Sequence, residues 1–178
     1  CQKLGWKTSE VKNISSMRYL KKDKKNFGKK IYFPYHINNE KLVFKYIEKF
    51  INSCPAGYLP KLLVKNHPSM KNSKKHIKLK KMIERLLIIN KNKFSKKPKN
   101  PNISIFIGST ASILECLERG IDSIHVCEEN LFDLYHPKIW KSLKVRAVSQ
   151  NVYQYKIKKF GNCIKLGKYN SNFTKFGV

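Results

Sequence analysis

The chain has 178 residues, 38 of them Lys or Arg and 11 Asp or Glu, for a formal net charge of +27 at pH 7. That length suffices for one domain with a proper core, and no apolar run approaches the roughly 18 residues a membrane span requires. The chain begins at Cys1, with neither an initiator Met nor a secretory signal, and reads as a fragment whose N-terminal part is missing.

Three sources of the charge are open. One is nucleic-acid binding, for which a basic surface is the electrostatic footprint. Another is attraction to an anionic membrane surface or a polyanionic substrate. The third is compositional drift, in which Lys, Asn and Ile are used wherever structure permits. Lys is spread over nearly every segment, whereas Arg, the better reader of phosphates and bases, is confined to Arg18, Arg85, Arg119 and Arg146. Drift is therefore favoured, an anionic surface or acceptor comes second, and nucleic acid last. The cysteines (Cys1, Cys54, Cys116, Cys127 and Cys163) are odd in number and form no C-x-x-C pair, which argues against a zinc or redox motif. Cys116 and Cys127 lie in apolar contexts and read as buried small hydrophobes, and a reducing cytoplasm fits this usage.

In chain order, residues 1–29 mix Lys, Ser and Asn with isolated apolar positions. They permit a short helix over 9–20 and then a basic linker. Residues 30–37 (KIYFPYHI) read as a first strand. Asn38 or Asn39 can cap a helix over 40–51, with Val43, Phe44, Ile47 and Phe50 inward. Residues 54–60 read as a loop and 61–65 as a second buried strand on Leu62, Leu63 and Val64. That strand runs into Asn66, His67 and Pro68. A histidine at the C-terminal end of a parallel strand stands where open α/β sheets put ligand chemistry, although a plain turn histidine is the simpler reading. Residues 74–89 form a basic amphipathic helix with Ile77, Met82, Ile83, Leu86 and Leu87 inward, suited to cover a sheet or to lie on a membrane surface.

A Lys- and Pro-rich loop over 90–102 leads into ISIFI, a strand buried on both faces. Gly108, Ser109, Thr110, Ala111 and Ser112 make a hydroxyl-rich turn. A helix follows with Ile113, Leu114 and Leu117 on one stripe and Glu115, Glu118 and Arg119 on the others, stopped by Gly120. Unpaired N–H groups at a helix start favour a phosphate, and Gly108 lets a ligand approach the backbone. Simple capping by Ser109 or Thr110 explains the same residues. The turn carries neither the dinucleotide fingerprint nor the Walker lysine pattern. Residues 121–126 read as a fourth strand containing His125. The acids Glu128, Glu129 and Asp133 fit capping of a helix over 130–143 better than a metal site or a base. Residues 144–157 alternate as a short edge strand plus turn, and the tail beyond is frayed. Strand–helix units repeating over 30–145 predict an α/β domain, a Rossmann-like doubly wound parallel sheet with right-handed crossovers. The organisation expected is a linker or remnant over 1–29, a Rossmann-like domain over 30–158 and a tail over 159–178.

LLVKNHP at the end of one strand, followed downstream by IFIGSTASILECLERGID, resembles the C-terminal, donor-binding half of bacterial GT-B glycosyltransferases. The pattern is similar to the HP and Ser/Thr motifs of bacterial sialyltransferases and polysialyltransferases and of capsule Kdo transferases. CDP-glycerol glycerophosphotransferases share a like pairing. The resemblance covers roughly residues 30–145 and rests on two short motifs, so their order and spacing carry it. It implies that His67 and Pro68 lie against the nucleotide phosphate, with His67 the catalytic group, and that Gly108, Ser109, Thr110 and Ser112 hold that phosphate, with Lys65 beside them. It further implies a CMP- or CDP-linked donor, a saccharide acceptor that a lipid can carry, no metal or other cofactor, and work in the cytoplasm or at the inner face of the cell membrane. One departure is large. In the sialyltransferases the base is an acid in an N-terminal motif of two acids followed by glycine, whereas here Glu128-Glu129 precedes Asn130 and lies downstream of the serine motif. A donor half alone should bind nucleotide but turn over poorly or not at all. The alternatives are a CDP-glycerol-type domain and a non-catalytic basic module binding nucleic acid. A small hydrolase using His67 with Ser109 or Ser112 lacks a nucleophile elbow.

Overall fold

Local sequence explains most of the elements in the structure, a computed structural model that describes residues 28–108, 110, 112–128 and 141–160. In chain order these are β1 (Lys30–Tyr32), α1 (Glu40–Ser53), β2 (Leu59–Pro60), β3 (Leu63–Lys65), α2 (Lys74–Ile89), β4 (Phe94–Ser95) and β5 (Ile103–Ile107). After them come α3 (Ser112–Glu118), β6 (Asp122–Val126), β7 (Leu143–Ser149) and β8 (Val152–Ile157). The ladder of β1 stops before Pro34, which has no N–H to donate. Helix α1 starts where Asn39 Oδ1 accepts from the N–H of Leu42 at 3.0 Å. Helix α3 ends in a Schellman motif: the N–H of Gly120, at φ +74°, donates to the carbonyl of Leu117, and that of Ile121 donates to Cys116.

Six strands form one sheet in the order β3-β1-β5-β6-β8-β7, and β2 pairs with β4 separately. The first four are parallel, β8 is antiparallel to β6, and β7 closes a hairpin with β8. The fold is therefore α/β with a mostly parallel sheet. The apolar run of β5 sits at its centre with all five residues buried. Such a strand needs cover on both faces. On one face Ile31, Ile103, Ile105 and Ile107 meet Val43, Ile47 and Phe50 of α1 and Leu79, Ile83 and Leu86 of α2. On the other, Phe106 and Tyr155 meet Ile113, Leu114 and Leu117 of α3. Full burial of each large side chain contributes about 1.5–3 kcal/mol.

Several expectations change. Helices α1 and α2 share a face, although β1→β3 and β3→β5 run in opposite directions across the sheet. Those two connections therefore have opposite hands, and the crossovers are not uniformly right-handed. Strand β3 is an edge strand rather than a buried one: Leu62 is buried, but Leu63 is 60% exposed. On α2 the buried positions are His76, Leu79, Ile83 and Leu86, while Ile77 faces out. Glu115 and Glu118, expected on polar sides, are buried, with Glu115 paired to Arg119 at 2.8 Å. Residues 94–95 and 59–60, read as loop, pair with each other. The segment 144–157 belongs to a full hairpin whose first strand opens at Leu143 rather than ending a helix. The helices expected over 9–20 and 130–143 lie outside the described residues, apart from residues 141 and 142, which form a turn, and Leu143, which opens β7.

Candidate functional site

From β1 the chain moves outward to β3, returns past β1 to β5 and continues to β6. The winding thus reverses between β1 and β5, and the crevice beyond their C-terminal ends is where open α/β sheets bind ligands. Pro34 and Tyr35 leave β1 there and Gly108 leaves β5. Gly108 has φ +66°, and a Cβ on it would lie 3.4 Å from Pro34 Cβ. The left-handed backbone conformation calls for glycine, and Pro34 packs beside it at ordinary van der Waals distance. Its N–H donates to the carbonyl of Val126 at 2.8 Å.

His67 sits at the end of β3 with φ −62° and ψ 135°, the extended conformation a following proline imposes. Pro68 opens a 3₁₀ turn over Pro68–Met70, and the N–H of Ser69 donates to His67 Nδ1 at 3.3 Å. A backbone N–H can only donate, so neutral His67 carries its proton on Nε2. Tyr35 meets the imidazole edge-on, with ring centroids 5.5 Å apart at 85°. The two motif strands are not neighbours, because β1 lies between β3 and β5. The motifs are connected instead through β1's exit loop, by Tyr35 against His67 and Pro34 against Gly108.

That loop is pinned by a residue the sequence reading missed. His76, 2% exposed, holds the Pro34 carbonyl through Nε2 at 3.0 Å and meets Ser73 Oγ through Nδ1 at 2.9 Å. Its position one turn before Leu79 and Ile83 on the inward stripe was the available signal. Beside His67, the Oδ1 of Asn66 is buried without a hydrogen-bond partner among the described residues.

Behind Gly108 stands His125 of β6, 1% exposed. Burial lowers its pKa to about 4, opposed by a hydrogen bond to the Gly108 backbone. Its Nδ1 lies 3.3 Å from the Tyr155 hydroxyl. At the end of β6 the Glu128 carboxylate accepts from the N–H of Asn38 at 2.9 and 3.1 Å and from that of Asn39 at 3.0 Å. Glu128 thus caps α1 rather than a following helix and occupies the anion-seeking end of α1. Glu129 and Asp133 lie outside the described residues. Cys116 and Cys127 are buried, and burial pushes both thiols up to about 12.

Of the other expected site residues, Ser109 lies outside the described residues. Thr110 Oγ1 accepts from the N–H of Ser112 at 3.3 Å, so Thr110 caps the two-turn helix α3. Lys65 leaves the edge strand with Nζ 5.8 Å from the Tyr32 ring centre, and Tyr32 stacks on Phe106 at 4.8 Å. Pro68 is exposed at the surface of its turn. Cavities of about 360, 410 and 350 Å³ open elsewhere, at the edge where the parallel strands begin. Among the described residues no helix is long and apolar enough to cross a membrane. Comparison with models of protein families, with curated proteins and with solved structures finds no match to the chain.

Proposed function

We propose that the chain is the donor-nucleotide-binding part of a metal-independent glycosyltransferase of the GT-B type. In this reading it takes a CMP-linked sialic acid or Kdo donor and serves bacterial surface polysaccharide synthesis, with a CDP-glycerol donor as the nearest variant. The supporting observation is the linkage of the two motif turns at the winding reversal, through Tyr35 on His67 and Pro34 on Gly108. In this reading the nucleotide phosphate lies between the His67 Nε2–H and the Gly108 turn. On this reading, negative charge that grows on the phosphate as the glycosyl bond breaks is stabilised by the His67 Nε2–H, since the Gly108 N–H is held by Val126. Helix α3 has only two turns and a capped start, so the weight falls on His67 more than on a helix dipole. The acid that deprotonates the acceptor is expected in a separate, N-terminal half.

The test is calorimetric titration with CMP, CDP, UMP and UDP against wild type and His67→Ala. Cytidine nucleotides should bind selectively, and the substitution should weaken them about tenfold or more, the effect of one hydrogen bond to a charged group. A folded protein that binds none of the four, or a variant that binds as tightly as wild type, overturns the reading.

A further inference from the structure

At the opposite edge of the sheet the β7–β8 hairpin carries an arrangement of cations that the fold does not need. Lys144 of β7 and Lys156 of β8 are directly opposed in the ladder, and the next pair on the same face is Arg146 with Gln154. Like charges directly opposed across two strands destabilise a sheet. One carboxylate answers them: Asp122 lies 2.9 Å from Lys156 and also accepts from Gln154 at 3.4 Å and Asn100 at 3.3 Å. Gln154 in turn accepts from Arg146 at 3.1 Å. The guanidinium is therefore oriented by a neutral amide and keeps its charge. Among the described residues no carboxylate pairs with Lys144 or Arg146.

These cations face a cavity. Tyr58, Lys144, Arg146, Gln154 and Lys156 line about 350 Å³. A second space of about 410 Å³ shares Tyr58, Arg146 and Gln154 and continues toward Phe50, Pro55 and Val148. Each lies within the size range of small-molecule sites. The near part is cationic and the far part is mixed, with Ser53 and Gln154 beside Phe50, Pro55 and Val148, and an arginine held in a fixed fork suits phosphate oxygens.

We propose that this hairpin face is a binding site for a phosphorylated small molecule. Lys144, Arg146 and Lys156 hold its phosphate, and its body lies along Tyr58 toward Phe50 and Ser53. The ligand supplies negative charge to Lys144 and Arg146, since Asp122 pairs with Lys156 alone. The site is separate from the His67 crevice and does not depend on the function proposed for that crevice.

The test is an amide-resonance titration of the full chain with inorganic phosphate and with CMP, each against sodium chloride at matched ionic strength. Wild type, Lys144→Gln/Arg146→Gln and His67→Ala are compared, and the dispersion of each spectrum reports folding directly. Phosphate should shift the amides of 144–146 and 154–156 in wild type and in His67→Ala, with at least tenfold weaker affinity in the double variant. Equal shifts with chloride overturn the proposal, because screening then accounts for them. So does a phosphate response that His67→Ala abolishes and the double variant retains, because the anion then sits at the other edge.

Discussion

The two edges of the sheet present their polar groups in different ways. Where the parallel strands end, the candidate groups stand on turns and are held by backbone: Ser69 fixes the His67 tautomer, and Gly108 holds a left-handed φ of +66° that favours glycine. Where the strands begin, the cations stand on the face of a hairpin and are placed by ladder register, Lys144 against Lys156 and Arg146 against Gln154. A turn site depends on a few residues whose replacement moves the backbone. A strand-face site can lose a side chain and keep its frame. Substitutions at the first edge should therefore cost stability and binding together, whereas those at the second should separate the two.

The largest effect expected belongs to His125, which stands behind the Gly108 turn. Its pKa is about 4 in the folded protein, against 6.5 for the ordinary group, so between those values the unfolded chain binds the extra proton. Stability from this residue is complete above pH 6.5 and is lost as pH falls toward 4, by about 3 kcal/mol across that window. His125→Gln keeps an amide able to reach Tyr155 and removes the titration. Urea unfolding from pH 4 to pH 7 should show the variant with the shallower pH dependence. Equal slopes would mean that His125 is not held neutral. Gly108→Val comes next. A β-branched residue at φ +66°, with its Cβ 3.4 Å from Pro34, should cost about 1–3 kcal/mol and weaken nucleotide binding as well. Full stability with Val at 108 would show that the turn accepts a side chain at this backbone conformation.

The first edge was the more legible in sequence. Pro68 and Gly108 act locally, so strand–turn–helix units around them follow from residue type alone, as do the Asn39 cap and the Gly120 stop. What joins them is not local. Nothing in the sequence places β1 between β3 and β5, so the role of Pro34 and Tyr35 as the bridge was invisible. Periodicity on α2 put Ile77 and Met82 inward, whereas tertiary packing against the Pro34 loop turned His76 and Leu79 inward. At the other edge the alternation of 144–157 was readable, but the register was not. A slip of one residue in the hairpin would separate Lys144 from Lys156 and turn neighbouring side chains to the other face.

The smallest effect expected has the least usual sign. If the opposed lysines are an unfavourable pair kept for an anion, Lys144→Gln should raise the stability of the ligand-free protein. Relief of a directly opposed like-charge pair amounts to about 0.2–1 kcal/mol. Asp122 stays bonded to Lys156, Gln154 and Asn100 in this variant, so the gain measures the repulsion alone. Thermal unfolding at low ionic strength is the measurement, repeated in high salt, where screening should erase the difference. A loss of stability would mean that the Lys144 methylenes contribute more by packing than its charge takes away. The cation would then be part of the frame, and the contrast between a rigid turn edge and a dispensable strand-face edge would fail at this residue.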